Sequence, residues 1–298
     1  MVAEESAKPI CENHVIKGTR LSKRLRREIG AEVRRLTEKH GFAPKLVTVI
    51  VGEDLGSQMY VRMKHKASNK VGILSDHHDL PENTTEEQLI LLINKLNQDS
   101  TVHGILVQLP LPDHIDEKAI IGAIDSMKDV DGFSPVNVYR LFYGGEELSS
   151  ATPQGIVTIL DSIGLEDLSG KHVVIINRST IVGKPLIMLL LNRNATVTVC
   201  HSRTADLSSF TRQADVLVSA IGRRQDESDP FFITSEMVKE GAVVIDVATP
   251  LGDVDFENVK NKAMCVTPVP GGVGPMTITM LLKNVLAAYR ASVEGAAE

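Results

Sequence analysis

The chain has 298 residues, 43% of them hydrophobic, and a formal net charge of -6. This predicts one large or two medium domains and argues against a general nucleic-acid binder. No apolar stretch reaches the ~20 residues that cross a bilayer, and the acidic start resembles no signal or transit peptide, so we expect a cytoplasmic protein that binds no membrane. Its three cysteines, Cys11, Cys200 and Cys265, are far apart. That spacing excludes a disulfide framework or a cysteine zinc site and fits a reducing compartment.

In the first half of the chain, helical and strand patterns alternate. An amphipathic helix that ends before Gly41 is predicted by apolar residues three or four positions apart: Leu21, Leu25, Ile29, Val33 and Leu36. The elements predicted next are, in order, a strand over 46–51, a helix over 59–68, a short strand from Gly72, a helix opened by the capping-box pattern Thr85-x-x-Gln88, and a buried strand over 104–108. This alternation predicts βαβ units and a largely parallel sheet.

The pattern weakens before Thr152, and we place a domain boundary near residue 150. After a helix over 155–163, strands are predicted over 173–176, 196–200, 216–220 and 243–247, with helical segments between them. Such alternation predicts a Rossmann-like domain. A last helix, from about 277 to 291, is long enough to cross back onto the first domain. The predicted fold is therefore α/β with two domains, one comprising 1–150 with 277–298 and the other 151–276.

The turn after the first strand of the second domain has the layout of a phosphate-binding site. Asn177, Arg178 and Ser179 follow that strand, where helix N-termini offer free N–H groups. Asn tolerates a positive φ better than other non-glycine residues, so Asn177 suits a backbone position typical of Gly. An ordinary turn with an exposed Arg explains this short pattern equally well.

The tip of the next strand favours one cofactor over another. NAD sites often have a carboxylate there for the ribose hydroxyl, whereas this strand ends in His201-Ser202-Arg203-Thr204. A cationic, hydroxyl-rich tip accommodates a 2′-phosphate, and Arg binds phosphate well through its planar fork. Arg178, Ser202 and Arg203 therefore favour NADP over NAD. For Arg203 alone, a solvated loop is the competing explanation.

Three segments of the first domain, and one near the end of the chain, are candidates for substrate chemistry. Tyr60 and Lys64 share a helix face, where an aromatic ring can stack on a flat substrate and a shielded lysine can transfer protons. Without context, a surface helix with a solvated Lys is the simpler interpretation. Gln108 ends a buried strand, and Asp131 lies in a turn before Gly132. Residues 268–277 are rich in Pro and Gly, which permit close backbone approach to a ligand.

One further segment resembles a metal site. Asp76-His77-His78-Asp79 contains four potential ligands. Adjacent histidines on an extended segment point to opposite sides, so we interpret it as a solvated loop and predict no metal.

Taken together, these motifs resemble the bifunctional methylenetetrahydrofolate dehydrogenase/cyclohydrolase (FolD) family over nearly the full length. Individually several are weak, but in this order they are highly specific. The matching motifs are Val51-Gly52 with Ser57-x-x-Tyr60-Val61-x-x-Lys64, Gly104-Ile105-x-Val107-Gln108-Leu109-Pro110-Leu111-Pro112, Lys128-Asp129-Val130-Asp131-Gly132, Thr152-Pro153-x-Gly155, Arg178-Ser179-x-x-Val182-Gly183-x-Pro185 and Pro270-Gly271-Gly272-Val273-Gly274-Pro275-Met276-Thr277.

The resemblance implies NADP-dependent oxidation of 5,10-methylenetetrahydrofolate to 5,10-methenyltetrahydrofolate, followed by hydrolysis to 10-formyltetrahydrofolate. It implies a cleft between the domains in which Lys64 assists proton transfer as water adds to the methenyl carbon. Gln108 would hydrogen-bond Lys64, Tyr60 would stack on the aminobenzoyl ring, and Asp131 would anchor the pterin. It also implies a homodimer that pairs through the cofactor domain.

The family's ligand-binding residues carry over onto matching positions of this chain. The implied substrate-binding residues are Tyr60, Val107, Gln108, Leu109, Asp131, Pro270, Gly271, Gly272, Val273 and Gly274. The implied cofactor-binding residues are Thr152, Asn177, Arg178, Ser179, Ser202, Arg203, Thr249 and Thr277.

The sequence departs from the family pattern at four places. Asn177 and Ala151 stand where the family usually has Gly and Cys, respectively. Ala248-Thr249-Pro250 replaces the usual Gly-Ile-Asn near the nicotinamide, and residues 223–230 lengthen a loop that is normally short. None of these changes removes Lys64, so activity is still expected.

Two alternatives remain open from the sequence. One is another NADP-dependent two-domain dehydrogenase with a catalytic lysine, resembling shikimate dehydrogenase. The other is a folate- or NADP-binding protein without catalysis, against which the intact Lys64, Gln108 and Asp131 argue.

Overall fold

The structure is a computed structural model that describes residues 9–295, except for the side chains of Leu55 and Ser57. Its helices are α1 (Gly18–His40), α2 (Leu55–Val71), α3 (Glu86–Gln98), α4 (Glu117–Ala123), α5 (Pro135–Phe142), α6 (Ala151–Asp161), α7 (Gly183–Leu191), α8 (Leu207–Thr211), α9 (Phe256–Val259) and α10 (Val273–Glu294). Its strands are β1 (Cys11–Glu12), β2 (Val15–Ile16), β3 (Lys45–Val51), β4 (Leu74–Leu80), β5 (Gly104–Val107), β6 (His172–Ile176), β7 (Thr196–Cys200), β8 (Val216–Ser219), β9 (Val243–Asp246) and β10 (Cys265–Val266).

Residues 9–295 fold into two compact units. The folate unit, as we call it, comprises 25–150 and 280–295, and the sheet unit comprises 9–24 and 151–279. These bounds differ from the predicted ranges at residues 9–24 and 277–279, which group with the sheet unit by their contacts. The reason for the first is a long-range pairing, since β2 runs parallel to β10 with Val15 opposite Val266. Residues 1–8 and 296–298 of the predicted ranges lie outside the described residues.

In the folate unit, the described residues form a three-stranded parallel sheet in the order β4-β3-β5. Its central strand is buried from Leu46 to Val51 because it has a neighbour on each side. The predicted capping box is confirmed: Thr85 Oγ1 accepts from the Gln88 backbone N–H, and Gln88 Oε1 accepts from that of Thr85. Leu89 and Ile93 of α3 then pack into the core below the sheet.

The segment with two histidines is a strand, not the loop that we predicted. Residues 76–79 lie in β4, at the edge of the sheet, where Lys45 Nζ pairs with Asp76 at 2.7 Å. The polar composition is compatible with a strand here because an edge strand leaves side chains in solvent. Within residues 9–295, no group of three His, Cys, Asp or Glu side chains is arranged to hold a metal ion.

The sheet unit is built on a sheet that has, within the described residues, seven strands in the order β1-β2-β10-β9-β8-β6-β7. Apart from the antiparallel β1–β2 pair, all neighbours are parallel, so the predicted α/β class with a mostly parallel sheet is confirmed. Ile176 lies opposite Cys200 and Ser219, and Ser219 lies opposite Asp246. Four carboxyl ends therefore meet along one edge, with β6 and β8 buried throughout their apolar runs.

Two of the three cysteines are bonded to each other, although their spacing predicted no disulfide. Cys11 and Cys265, 254 positions apart, form a disulfide. The pairing of the β1–β2 hairpin with β10 brings them together, which no local pattern could indicate. Among the described residues, Cys200 is the free cysteine, and it is buried.

The last helix starts four residues earlier than predicted. Val273 begins α10, so Gly274 and Pro275 belong to its first turn. Proline is compatible with this position because the first turn of a helix has no partner for its N–H groups. Along residues 9–295, no helix is long and apolar enough to cross a membrane.

Candidate active site

A buried lysine and a glutamine meet in the folate unit. Lys64 on α2 is 7% exposed, and its Nζ donates to Gln108 Oε1 at 3.0 Å. Gln108 Nε2 donates to the Leu109 carbonyl at 2.7 Å, which orients the amide oxygen toward the lysine. The Gln108 backbone N–H bonds the Val49 carbonyl at 2.8 Å and fixes this residue to the end of the sheet. The glutamine therefore holds the amine in one position.

Tyr60 lies one turn before Lys64 on the same helix. The lysine Nζ is 4.6 Å from the centroid of the Tyr60 ring. Burial, with a smaller contribution from Asp131, raises the pKa of Tyr60 to about 12. The ring therefore stays neutral over the physiological range and acts as an apolar face with a hydroxyl.

The charges of Lys64 and Asp131 are set by burial and by each other. Burial lowers the pKa of Lys64, and the Asp131 carboxylate partly opposes this. Burial raises the pKa of Asp131 to about 6, while Lys64 acts in the opposite direction and Asp129 in the same direction. At neutral pH the site therefore holds a carboxylate beside an amine that releases its proton more easily than an exposed lysine.

Asp129 supports this arrangement, and the sequence reasoning missed it. It is 2% exposed, and its carboxylate accepts from the backbone N–H groups of Gly132 (3.0 Å) and Ser134 (2.7 Å) and from Asn137 Nδ2 (3.0 Å). Gly132 has φ +69°, and a Cβ there would lie 2.6 Å from the Ser149 backbone. Asp129 thus closes the turn that presents Asp131. The sequence feature that could have indicated this role is the pair Asp129 and Asp131, two positions apart in one turn, since only one of them can close the turn.

In the sheet unit, Asn177 organises the turn after β6 through its side chain. Its Oδ1 accepts from the backbone N–H groups of Ser179 (2.7 Å) and Gly183 (3.1 Å), and its Nδ2 donates to the Ala220 carbonyl at 2.7 Å. The prediction that Asn177 adopts a positive φ is wrong, because the described non-glycine residues with positive φ are Asn13, His14, Asn194 and Asp206. The amide group can bridge two segments, so no left-handed backbone is needed.

The residues around this turn fit the phosphates of a dinucleotide. A Cβ at Gly183 would lie 2.4 Å from the Asn177 carbonyl oxygen, so the start of α7 must be glycine to approach the turn. Arg178, Ser202 and Arg203 are exposed at the carboxyl ends of β6 and β7. The guanidinium groups of Arg178 and Arg203 and the hydroxyl of Ser202 are donors that suit phosphate.

The other predicted ligand-binding residues divide between the units. Val107 and Leu109 flank Gln108 in the folate unit, whereas Pro270, Gly271, Gly272, Val273 and Gly274 belong to the sheet unit. Thr152 and Thr277 share a hydrogen bond of 3.0 Å between their hydroxyls, and Thr249 is exposed after β9. The Gly271 carbonyl accepts from both the backbone N–H (2.9 Å) and Oγ1 (3.1 Å) of Thr19.

Two buried carboxylates at the ends of β8 and β9 were also missed. Asp246 accepts from the backbone N–H groups of Ala248 (3.0 Å) and Val254 (2.9 Å), and burial raises its pKa to about 6. Asp253 accepts from Ser219 Oγ at 2.8 Å and from two backbone N–H groups of the loop after β8. The signal was an Asp directly after the apolar run of β9.

Comparisons with known proteins match both units. A family model described as tetrahydrofolate dehydrogenase/cyclohydrolase, catalytic domain, matches residues 16–131, and one for the NAD(P)-binding domain of the same family matches 150–293. A relative named bifunctional protein FolD, from Moorella thermoacetica, is 51% identical over 283 residues, which are 93% of this chain and 98% of that protein.

Solved structures agree with this assignment. The bifunctional enzyme FolD of Campylobacter jejuni superposes with a TM-score of 0.87 at 46% identity, covering 92% of this chain and 98% of that one. The Trypanosoma brucei methylenetetrahydrofolate dehydrogenase-cyclohydrolase, solved with NADP and an inhibitor, gives a TM-score of 0.87 at 39% identity over 94% of this chain and 98% of that one.

Proposed function

Because the chain belongs to the tetrahydrofolate dehydrogenase/cyclohydrolase family, we propose that Lys64 is the acid–base group of its hydrolytic step. The enzyme oxidises 5,10-methylenetetrahydrofolate to 5,10-methenyltetrahydrofolate with NADP and hydrolyses the product to 10-formyltetrahydrofolate. The observation that carries the proposal is the buried Lys64 amine, held by Gln108 at 3.0 Å.

The residues of this chain can perform the hydrolysis with a single base. NADP, when bound, accepts the hydride in the preceding oxidation. In hydrolysis, water adds to the methenyl carbon, and the neutral Lys64 amine takes one proton from it. The bond from this carbon to N5 then breaks as the hydroxyl becomes the formyl carbonyl, and the hydroxyl proton passes to N5. A buried amine next to a cationic substrate favours neutrality, which suits this role. Gln108 can accept a hydrogen bond without adding charge, so it positions the amine and leaves its basicity low.

We propose that substrate recognition involves two neighbours of Lys64 and, in the sheet unit, a glycine-rich loop. We assign Tyr60 to stacking on the aminobenzoyl ring, since its neutral face lies beside the amine. The Asp131 carboxylate suits the donors of the amino-pyrimidinone ring, because an ionised carboxylate only accepts hydrogen bonds. The loop of Pro270, Gly271, Gly272, Val273 and Gly274 has little side-chain bulk, which suits contact with a flat ligand.

A steady-state assay with 5,10-methylenetetrahydrofolate tests the function. We expect turnover with transient methenyl product, and a higher kcat/KM with NADP than with NAD because Arg178 and Arg203 can bind the 2′-phosphate. Shikimate is the control substrate for the alternative dehydrogenase and should give no turnover. Equal rates for wild type and Lys64→Met would instead indicate a binding protein without catalysis.

The cofactor site gives a sharper prediction at Asn177. We propose that Asn177, Arg178, Ser179, Ser202 and Arg203 hold the phosphates in a Rossmann-like manner, with Thr152, Thr249 and Thr277 nearer the nicotinamide. Asn177→Asp keeps both acceptor bonds, but it loses the donor to Ala220 and adds a negative charge where phosphate binds. We expect the Kd for NADP, measured by calorimetry, to rise about 10- to 100-fold, the scale of one or two lost charged hydrogen bonds.

Asn177→Gly is the matched control for that substitution. It adds no charge but loses the three side-chain hydrogen bonds of Asn177, so its Kd for NADP should rise clearly less than that of Asn177→Asp. If both variants weakened binding equally, the bridging amide and not the charge would control the site. An unchanged Kd in Asn177→Asp would place the phosphates elsewhere.

We also propose a homodimer that pairs through the sheet unit. β7 lies at the edge of the sheet and its sequence, Thr-Val-Thr-Val-Cys, has no charge that would oppose pairing with another strand. Sedimentation equilibrium should give twice the chain mass of 32.4 kDa, and a monomer at micromolar concentration would contradict it.

A cytoplasmic location completes the proposal, since NADP and reduced folates are intracellular metabolites. Fractionation of the native cells, followed by immunoblotting, should recover the protein with the cytosol. Recovery with secreted material would overturn the assignment.

A further inference from the structure

The lengthened loop after β8 is folded around one buried arginine. Arg224 is 7% exposed, although it lies in a run of charged residues. Within the loop, its Nε donates to the Asp229 carbonyl and its Nη2 to the Glu227 carbonyl, each at 3.0 Å. The guanidinium also lies 4.1 Å from the centroid of the Phe231 ring. The insertion is therefore a closed structure with a cation at its centre.

The same arginine reaches a second loop. Arg224 Nη1 donates to the Gly252 carbonyl at 2.8 Å, and Gly252 belongs to the segment 248–252 that follows β9. At its other end this segment is fixed by the Asp246 carboxylate, which accepts from the Ala248 N–H. A Cβ at Gly252 would lie 2.7 Å from Asp246 Oδ2, so the segment packs directly on the end of β9. One arginine thus ties the insertion to the segment that carries Thr249.

This tie lies where a cofactor would bind, not in the core. Ligands of parallel sheets bind beyond the carboxyl ends of the strands, and segment 248–252 follows the carboxyl end of β9. The strands themselves are held independently, since Asp253 secures the end of β8 through Ser219 and two backbone N–H groups. Loss of Arg224 should therefore release the two loops without unpairing β8 and β9.

We propose that Arg224 is a positioning residue for the nicotinamide cofactor, which acts by holding segment 248–252 against the end of β9. Two of the four departures from the family pattern, residues 223–230 and Ala248-Thr249-Pro250, are thereby connected through one side chain. The inference rests on the cofactor site proposed above. Lysine cannot replace this arginine fully, because three carbonyls in different directions match the planar guanidinium fork.

The test compares the two activities of the enzyme, because the oxidation requires NADP and the hydrolysis does not. In Arg224→Ala, the Kd for NADP measured by calorimetry and the KM for NADP should both rise about tenfold, the scale of one lost charged hydrogen bond. Hydrolysis of added 5,10-methenyltetrahydrofolate requires no NADP and should keep its kcat/KM. Arg224→Lys should lie between wild type and Arg224→Ala. Arg223→Ala, which removes the exposed neighbouring arginine, should match wild type.

Each other outcome has a distinct meaning. An equal fall in the hydrolysis rate would show that Arg224 only supports the fold, and an unchanged Kd for NADP would overturn the positioning role. If Arg224→Ala does not fold, the Kd of Arg224→Lys decides, because it keeps the charge and removes the fork. Wild type without any NADP binding would defeat the proposed cofactor site itself, independently of Arg224.

Discussion

Lys64→Met is expected to lower kcat for hydrolysis of 5,10-methenyltetrahydrofolate by about 10²- to 10⁴-fold, the usual contribution of a positioned base. Methionine approximates the length of lysine but cannot accept a proton. No other described residue hydrogen-bonded to the amine can replace it, since Gln108 is an amide without basicity. The rate is measured by the disappearance of methenyl absorbance.

The same variant should bind NADP as wild type does, because Lys64 belongs to the folate unit and the proposed phosphate site to the sheet unit. It should also be no less stable, since burial lowers the pKa of Lys64 and so disfavours its charged form in the fold. Lys66→Met is the matched control, because Lys66 is exposed on the same helix. Loss of NADP binding in Lys64→Met would contradict the separation of the two sites.

Much of the fold follows from local patterns in the sequence. The apolar runs of β3, β6, β8 and β9 are buried on both faces, so a continuous apolar stretch is sufficient to identify them. The 3.6-residue period identified α1, and a capping box placed the start of α3 at the correct residue. These signals lie within a few positions of the elements that they predict.

The misses depend on contacts between distant parts of the chain. The Cys11–Cys265 disulfide and the grouping of residues 9–24 with the sheet unit both follow from pairing between β2 and β10, some 250 positions apart. Arg224 belongs to a charged run typical of a solvated loop, and only the fold surrounds it with carbonyls. Residues 76–79 of β4 were predicted as a loop because a polar composition, which an edge strand allows, hides the strand pattern.

Site residues that belong to a motif were predictable from the sequence. Residues whose side chains hydrogen-bond backbone groups were harder to predict. Lys64, Gln108 and Asp131 were singled out by their motifs, and the structure places Lys64 in contact with Gln108 and in the field of Asp131. Asp129 was not predicted because its carboxylate accepts hydrogen bonds from the backbone N–H groups of a turn. Asn177 was expected to act through its backbone, yet its amide group makes the contacts.

Asp131→Asn is expected to lower kcat/KM for 5,10-methylenetetrahydrofolate by about 10²- to 10³-fold above pH 7, the scale of two charged hydrogen bonds. The asparagine amide presents a donor to the donors of the amino-pyrimidinone, so one contact becomes repulsive.

The same substitution should increase the free energy of unfolding at pH 7. Since burial raises the pKa of Asp131 to about 6, the folded protein binds this proton more tightly than the unfolded chain, and ionisation between about pH 4 and 6 reduces stability. The neutral variant should therefore melt at a higher temperature at pH 7.

The pH dependence tests the same assignment without relying on a single rate. Because the carboxylate form of Asp131 is lost as pH falls through about 6, wild-type kcat/KM for the folate should fall about tenfold per pH unit below that value. Asp131→Asn should lack this acid limb, whereas Asp113→Asn, at an exposed carboxylate, should keep it. In Lys64→Met, the fall in kcat/KM for the folate should begin at a higher pH than in wild type, because the ammonium group that lowers the pKa of Asp131 is absent. If the limb persisted in Asp131→Asn, another group would anchor the folate.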